Sequence, residues 1–277
     1  MLKIVTDSSC DLPEEMVRRH GITVVPLRVN FGADTYHDGV DLSPREFQRL
    51  LLTSNELPTT SQPPPRDFEL VCQPLLDQGH QVLIITISSG LSGTYISAAM
   101  AAEALGSDVV VVDSLLASVG VGILAVKAAR AAEAGGSLEE VAEFVRRHRM
   151  EMRIFFTPDT VENIVRGGRM NIFARSAAAI PDLKLILTRS SKGTIQILER
   201  VRGRNRALDR VSDLIGENPP EDWSREIVGV SHVHCLSEAE MLAAEISHRY
   251  RPGEVFVREM GSTIGTHAGR GGIVVAR

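Results

Sequence analysis

The stretch Leu83–Tyr95, with the sequence LIITISSGLSGTY, decides the fold class of this chain. An apolar, β-branched run passes into hydroxyl-bearing residues and glycines, and the chain then continues as the Ala-rich segment Ile96–Leu105. This order predicts a buried strand, a tight loop and a helix. Because the loop brings hydroxyls and free backbone N–H groups to the positive end of a helix, it predicts a binding site for an anion.

Two other patches have the same chemical character. Thr59-Thr60-Ser61-Gln62 is rich in hydroxyls, and Gly265-Thr266-His267-Ala268-Gly269 combines glycines with a histidine. In open α/β sheets, ligands bind beyond the carboxyl ends of the strands. We therefore expect four loops to converge on one site, namely residues 7–11, 60–62, 88–94 and 113–114.

Length and composition set limits on the architecture. A chain of 277 residues with 43% hydrophobic residues predicts two domains of ordinary size. Strand and helix alternate up to about residue 150, as in a doubly wound sheet. Shorter strands then mix with helices, at 183–187, 194–200, 227–233 and 254–259. The predicted fold class is α/β, with an N-terminal doubly wound parallel sheet in residues 1–153, a C-terminal α+β domain with a mixed sheet in residues 154–277, and the ligand between them.

Local signals predict where individual elements lie. Residues 22–29 are predicted to form one strand, and Asp11 is predicted to cap the helix that follows it. Ser137-x-x-Glu140 and Ser237-x-x-Glu240 are predicted to be capping boxes at the starts of two amphipathic helices. The run 120–125 matches the dinucleotide pattern G-x-G-x-x-A, but it lies too far from the preceding strand, which favours helix packing.

Charge and cysteine content restrict the function classes. The net charge is −5, yet the segment from Arg166 to Arg210 contains eleven basic and three acidic residues, a local charge of +8. A basic face on an acidic protein favours an anionic ligand or partner over general nucleic-acid binding. The three widely spaced cysteines, the lack of an apolar N-terminal run and the polar residues within 78–102 predict a cytoplasmic protein without a membrane span.

Ser92 allows a second interpretation, as the nucleophile of a serine hydrolase with His267 and Asp113. The nucleophile elbow G-x-S-x-G requires a second glycine where this chain has Thr94. Anion recognition by Ser92 and the amide of Gly93 is therefore favoured over catalysis. No metal site is predicted, because the two histidines of His232-Val233-His234 have no further ligand at helpful spacing.

Taken together, the motifs resemble the DegV family, whose members bind fatty acids. They occur in the family's order and span the whole chain: Asp7-Ser8-Ser9-Cys10-Asp11-Leu12, Thr60-Ser61-Gln62-Pro63, Ser88-Ser89-Gly90-Leu91-Ser92-Gly93-Thr94-Tyr95, Asp113-Ser114, Gly167-Gly168-Arg169 and Gly265-Thr266-His267-x-Gly269.

The resemblance implies a carrier rather than an enzyme, with no catalytic residues and no cofactor. The fatty-acid tail would lie in a buried tunnel, and the carboxylate would be presented to a separate ATP-dependent kinase, related to dihydroxyacetone kinases, that makes the acyl-phosphate. The implied carboxylate contacts are Thr60, Ser61, Ser92, the amide of Gly93 and His267. Arg169 would lie near the pocket mouth, and Arg202 and Arg204 would face the kinase.

The chain departs from the family pattern at two places. Lys184-Leu185 stands where the family commonly has Lys-Pro, and Gly269-Arg270-Gly271 stands where it commonly has Gly-Pro-Gly. The rival hypotheses are a serine hydrolase of lipid or ester substrates and an anion- or nucleic-acid-binding module that uses the basic segment. Ester hydrolysis that depends on Ser92 would favour the first, and steeply salt-dependent nucleic-acid binding would favour the second.

Overall fold

The computed structural model describes residues 1–54, 56–170 and 182–277. The strands are β1 (Leu2–Asp7), β2 (Thr23–Val25), β3 (Arg28–Phe31), β4 (Asp34–His37), β5 (Thr59–Ser61), β6 (Gln81–Thr86), β7 (Val109–Asp113), β8 (Ile154–Thr157), β9 (Leu183–Arg189), β10 (Ile195–Arg202), β11 (Ile227–His232), β12 (Glu254–Glu259) and β13 (Ile273–Ala276). The helices are α1 (Glu14–Arg19), α2 (Pro44–Thr53), α3 (Pro65–Asp77), α4 (Thr94–Leu105), α5 (Val119–Glu133), α6 (Leu138–Glu151), α7 (Glu162–Arg166), α8 (Arg204–Gly216), α9 (Leu236–Tyr250) and α10 (Ser262–Ala268).

The N-terminal sheet has the strand order β2-β1-β6-β7, and every neighbouring pair is parallel. Successive side chains of a strand point to opposite faces, and both faces of this sheet are covered. Leu83 and Ile85 pack into the cluster that contains α5 and α6, whereas Val82 and Ile84 pack into the cluster that contains α3 and α4. The predicted doubly wound parallel sheet is confirmed.

The C-terminal sheet is mixed, as predicted, and has the order β10-β9-β8-β13-β11-β12. Its pairs are antiparallel except for β11 with β12, which is parallel. One face packs on α8 and α9 through residues such as Phe155, Ile186 and Val230. The other face, which includes Ile154, Phe156 and Leu187, faces the N-terminal half of the chain.

The single strand predicted for residues 22–29 is wrong. Residues 23–25 form β2 of the parallel sheet, whereas residues 28–31 form β3 at the centre of a small antiparallel sheet with the order β4-β3-β5. Pro26 lies between the two strands and has no N–H to donate to a ladder, so the chain leaves one sheet and enters the other there. The edge strand β5 of this small sheet carries Thr60 and contacts α10.

Two predicted helix caps are also wrong. Helix α1 begins at Glu14 after Pro13, and Asp11 instead adopts a left-handed conformation with φ 47°. Helix α9 begins at Leu236 with Cys235 at the cap position, so Ser237 lies inside the helix. The Ser137–Glu140 capping box at the start of α6 is confirmed, because both reciprocal hydrogen bonds are present.

Helix α5 joins the two halves, since it packs against β1 of the first sheet and against β11 and β13 of the second. A Cβ on Gly122 would overlap the carbonyl oxygen of Cys10 and the side chain of Leu12, so only glycine allows this close approach. Gly120 packs less tightly, since a Cβ there would lie 3.1 Å from Cδ1 of Ile154. These contacts confirm that the 120–125 motif serves helix packing. Within the described ranges, no helix is long and apolar enough to cross a membrane.

Candidate functional site

A cavity of about 360 Å³ lies between the carboxyl-end loops of the parallel sheet and the inner face of the mixed sheet. This volume falls within the range of small-molecule sites. Apolar side chains from both halves line it, among them Ile87, Leu115 and Leu116 from the first half and Ile154, Phe156 and Leu187 from the second. The apolar part of the lining is aliphatic except for Phe156, so this part suits a hydrocarbon chain.

One group of polar residues in this cavity contains the residues predicted to bind the carboxylate. The structure brings together Thr60, Ser61, Ser92, Gly93, His267 and Arg169, all of which line it. They come from β5, from the loop before α4, from α10 and from the end of α7. The cavity therefore combines an apolar body with a cluster of hydroxyls, an imidazole and a guanidinium.

His267 and Thr60 form the centre of the polar cluster. Thr60 Oγ1 lies 2.9 Å from His267 Nε2, although the residues are 207 positions apart in the sequence. Burial, together with the positive charge of Arg169, lowers the pKa of His267 to about 4. The imidazole is therefore neutral at physiological pH and takes part in hydrogen bonds without carrying a charge. Its Nδ1 atom is buried and has no hydrogen-bond partner in the described part of the chain.

Two features hold His267 in place. Its ring lies against Gly167, where a Cβ would overlap Nδ1 and Cε1, so glycine is required for this contact. Helix α10, which carries His267, begins next to the buried carboxylate of Asp38. That carboxylate accepts hydrogen bonds from the amides of Ser262 and Thr263 at 2.8 and 3.2 Å.

The loop before α4 supplies Ser92 and Gly93. Ser92 Oγ lies 2.8 Å from Thr94 Oγ1 and accepts a hydrogen bond from the Thr94 amide at 3.3 Å, which orders the first turn of the helix. A Cβ on Gly93 would overlap the side chain of Gln62. The Gly93 amide makes no hydrogen bond within the described residues, so it is available as a donor at the positive end of α4.

Arg169 is half-buried at the wall of the cavity. Its Nε donates to the carbonyl oxygen of Leu91 at 3.1 Å, and its Nη1 donates to that of Gly167 at 2.5 Å. Neither partner is charged, and no carboxylate of the described ranges forms an ion pair with Arg169. The guanidinium therefore contributes a positive charge beside the polar cluster.

Arg202 and Arg204 do not line the cavity. Arg202 is exposed at the end of β10. Arg204 donates to Glu238 at 2.7 Å and to the carbonyl oxygens of Thr157 and Gly271 at 3.3 and 2.6 Å, and its side chain is 16% exposed. The guanidinium of Arg204 thus joins several elements of the C-terminal half. Part of the basic segment 166–210, residues 171–181, lies outside the described residues.

The three residues of the hydrolase hypothesis do not form a triad. The Ser92 hydroxyl is paired with Thr94, and the His267 ring is paired with Thr60. Asp113 Oδ1 accepts hydrogen bonds from the amides of Ser89 and Leu115 rather than from a histidine. A triad needs the base bonded to the nucleophile and oriented by the acid. In the described ranges, no group of three or more His, Cys, Asp or Glu residues is placed to hold a metal ion.

The two residues that depart from the family pattern, Leu185 and Arg270, lie in different surroundings. Arg270 is exposed between Gly269 and Gly271, both of which have positive φ angles of 68° and 77°. Leu185 is buried within β9 and packs with Val161 and Ile164. Neither side chain lines the cavity.

Sequence reasoning missed Asp38 and Ser118. Asp38 has no motif around it, since its partners Ser262 and Thr263 are more than 200 positions away. Ser118 lines the cavity with an unusual backbone conformation, φ 54° and ψ −143°, and its hydroxyl donates to Asp11 at 2.5 Å. The signal for Ser118 was weak, because a serine after an apolar run is also an ordinary helix cap.

Comparison with known proteins agrees with this geometry. The family model of DegV matches residues 1–277. The chain belongs to the DegV family. Among curated DegV proteins, protein DegV of Bacillus subtilis is 31% identical over 274 residues, which covers 98% of this chain and 97% of that protein. A DegV domain-containing protein of Caldanaerobacter subterraneus is 33% identical over 269 residues, with 97% and 95% covered.

Solved DegV structures show the same fold. A DegV family protein from Thermus thermophilus, described as binding fatty acid, has a TM-score of 0.89 at 31% identity and covers 99% of this chain and 98% of its own. DegV of Bacillus subtilis, described as a fatty acid binding protein, has a TM-score of 0.88 at 30% identity, with the same coverage. A stearic acid-binding protein from Eubacterium ventriosum has a TM-score of 0.86 at 27% identity and covers 100% of this chain and 97% of its own.

Proposed function

We propose that this DegV protein binds a long-chain fatty acid, with the tail in the apolar cavity and the carboxylate at the Thr60–His267 cluster. One observation carries the proposal: a single cavity joins a largely aliphatic lining to a group of neutral donors beside the guanidinium of Arg169. The fatty-acid binding described for DegV relatives of 30 and 31% identity supports it. The fatty acid would lie between residues 1–153 and 154–277, which we propose to be the two domains.

The energetics of such a ligand fit the two parts of the cavity. Burial of a methylene contributes about 0.8 kcal/mol, so a chain of roughly 14 methylenes gains on the order of 11 kcal/mol before the costs of binding. A buried carboxylate costs several kcal/mol unless it is paired and hydrogen-bonded. The hydroxyls of Thr60, Ser61 and Ser92 and the amide of Gly93 would supply the hydrogen bonds. Arg169 would supply the nearby charge.

We propose further that the protein is a carrier and not an enzyme, and that a separate ATP-dependent fatty-acid kinase of the dihydroxyacetone-kinase type phosphorylates the bound carboxylate. Ser61 and Gln62 are exposed while they also line the cavity, so the polar cluster lies near solvent, where a partner protein has access to it. Neutral donors hold a carboxylate without the strong pairing that would oppose its reaction. Arg202, exposed on β10, would belong to the surface that meets the kinase.

Mass spectrometry of an organic extract from the purified, denatured protein tests the binding proposal. We expect stoichiometric fatty acid. An empty extract, with no uptake of added fatty acids, would contradict the proposal. The hydrolase and anion-binding hypotheses would then be the ones to test.

A Ser92→Ala variant tests the division of roles between tail and head group. Because the tail supplies most of the affinity, this variant is expected to keep bound fatty acid while it slows acyl-phosphate formation by the kinase. Ser107→Ala is a matched control, since Ser107 is exposed beyond the other end of α4 and does not line the cavity. Equal loss of binding and transfer, or loss of neither, would count against the proposed roles.

A further inference from the structure

Arg189 lies at the boundary of the cavity. Among the described residues, Ile154, Thr188 and Arg189 are the ones that line both this cavity and a second, more open cavity of about 820 Å³ that lies beside the C-terminus of α6. In the mixed sheet Arg189 pairs with Ile195, so these two side chains lie on the same face of β9 and β10. That face lines the apolar cavity, as Leu187 and Ile195 show.

This boundary lies at the opposite end of β8 from the turn that follows α10. Helix α10 ends one residue after His267, and the chain then enters β13 at Ile273, which pairs with Thr157 of β8. Ile154 lies at the other end of β8, where it pairs with Ala276. Ile154 and Thr157 are three positions apart along β8, a distance of about 10 Å. A fatty acid with its carboxylate near His267 would therefore direct its tail toward Ile154 and Arg189.

The guanidinium of Arg189 is fixed at this place. Its Nη2 donates to the carbonyl oxygens of Arg149 and Met150 at 2.9 and 3.0 Å, and it lies 3.5 Å from that of Met152. These carbonyls belong to the end of α6 and the residue that follows it, where helix carbonyls lack internal partners and the helix dipole favours a cation. The guanidinium is therefore held in one position and places a positive charge at this end of the cavity.

The second cavity is unsuitable for hydrocarbon. Charged side chains line it, including Lys127, Arg153, Glu217, Glu226 and Arg277. A methylene that passed Arg189 would gain little from burial and would displace water from charged groups, which is unfavourable. The change from an aliphatic to a charged lining thus occurs at Arg189.

We propose that Arg189 sets the upper limit of fatty-acid chain length by closing the tail end of the cavity. This inference rests on the proposed fatty-acid binding and adds to it a residue that determines specificity. Replacement of the guanidinium by a shorter, uncharged side chain adds the space that the guanidinium occupies to the apolar end of the cavity. Longer chains then bind without any change at the polar cluster.

The test is competition for binding among straight-chain saturated fatty acids from lauric to behenic acid. The purified full-length protein is loaded from an equimolar mixture, and the bound lipid is extracted and quantified by mass spectrometry. In the Arg189→Met variant we expect the upper limit to move to longer chains, with roughly tenfold enrichment for two extra methylenes and unchanged total lipid. Arg189→Lys, which keeps a cation, and Lys192→Ala, on the exposed hairpin nearby, are expected to retain the wild-type limit.

A folded Arg189→Met protein with an unshifted limit overturns the inference. Should that variant fail to fold, Ile195→Phe gives an independent test, because it fills the same end of the cavity from the neighbouring strand. Its bound lipid is expected to shift to shorter chains, and an unchanged distribution overturns the inference. A wild-type protein that takes up no fatty acid overturns the proposed function as well, whereas bound fatty acid with unshifted limits overturns this inference alone.

Discussion

Asp38 Oδ1 lies 2.8 Å from the amide nitrogen of Ser262 and 2.6 Å from its hydroxyl oxygen, although 224 positions separate the two residues in the sequence. The other carboxylate oxygen of Asp38 accepts hydrogen bonds from the Thr263 amide at 3.2 Å and from the Ser8 hydroxyl at 3.0 Å. The loop after β4 therefore fixes the start of α10, and α10 places His267 in the cavity. The position of a site residue depends on a carboxylate that does not line the site.

Asp38→Ala is expected to lower both stability and fatty-acid binding. The substitution leaves the buried amides of Ser262 and Thr263 without an acceptor, and hydrogen bonds to a charged group contribute about 1.5–3 kcal/mol. Denaturant unfolding measures the free-energy loss, and lipid extraction measures binding. Asp41→Ala, an exposed carboxylate in the same loop, is the control. A variant as stable as this control would contradict the role given to Asp38.

The strands of the parallel sheet were predictable from the sequence, but the contact between Asp38 and Ser262 was not. Residues 82–87 form a continuous apolar run, and such a run has few alternatives to a buried strand. The rule that loops meet at the carboxyl ends of parallel strands predicted that residues 60–62 and 88–94 meet, whereas residues 7–11 and 113–114, expected at the same site, do not line the cavity. His267 was assigned to the carboxylate by the family resemblance. The partner of Asp38 follows from no local pattern, because a buried carboxylate and an exposed one look the same in a sequence. The switch of sheets at Pro26 was missed although the sequence carries a signal for it, since a proline in the middle of a predicted strand argues against a single strand.

The buried carboxyls Asp7 and Asp11 are expected to give the protein an unusual pH dependence. Burial raises the pKa of Asp7 to about 6 and that of Asp11 to about 7, in spite of hydrogen bonds that favour the ionised forms. Between the ordinary pKa of 3.8 and about 7, the folded protein therefore binds more protons at these residues than the unfolded chain does. Their contribution to stability is present at low pH and is lost as the pH rises through this window.

Asp11→Asn tests this expectation, because asparagine keeps the shape and cannot ionise. The difference in unfolding free energy between the variant and the wild type should change in favour of the variant from about pH 4 to about pH 7. Chemical denaturation across that range measures it. His267, whose lowered pKa gives the opposite slope, is present in both proteins and cancels in the difference. A difference that stays constant with pH would show that Asp11 ionises normally.

Gly167→Ala is expected to displace the His267 ring. The backbone of Gly167 is helical, with φ −70° and ψ −6°, so the backbone conformation suits alanine, and the main obstacle is the overlap of its Cβ with the imidazole. Overpacking of this kind typically costs about 1–3 kcal/mol. In a His267→Ala background the overlap disappears, so the same substitution should cost little. A double-mutant cycle from unfolding free energies isolates the coupling. Equal costs in the two backgrounds would contradict the contact.

Arg202 and Arg204 lie two positions apart and are expected to respond differently to substitution. Arg204→Ala removes hydrogen bonds to Glu238 and to two backbone carbonyls, so we expect a loss of about 2 kcal/mol in unfolding free energy. Arg202 is exposed, and Arg202→Ala should leave stability unchanged.

If Arg202 belongs to the surface that meets the kinase, Arg202→Ala slows acyl-phosphate formation while the bound fatty acid stays constant. If Arg204→Ala also slows acyl-phosphate formation, the cause should be its lower stability. The defect should then disappear at a lower temperature, where more of the variant is folded. Kinase assays at two temperatures separate the two effects, because a missing contact persists when the fold is restored. An Arg202→Ala protein that transfers at the wild-type rate would remove Arg202 from the proposed interface.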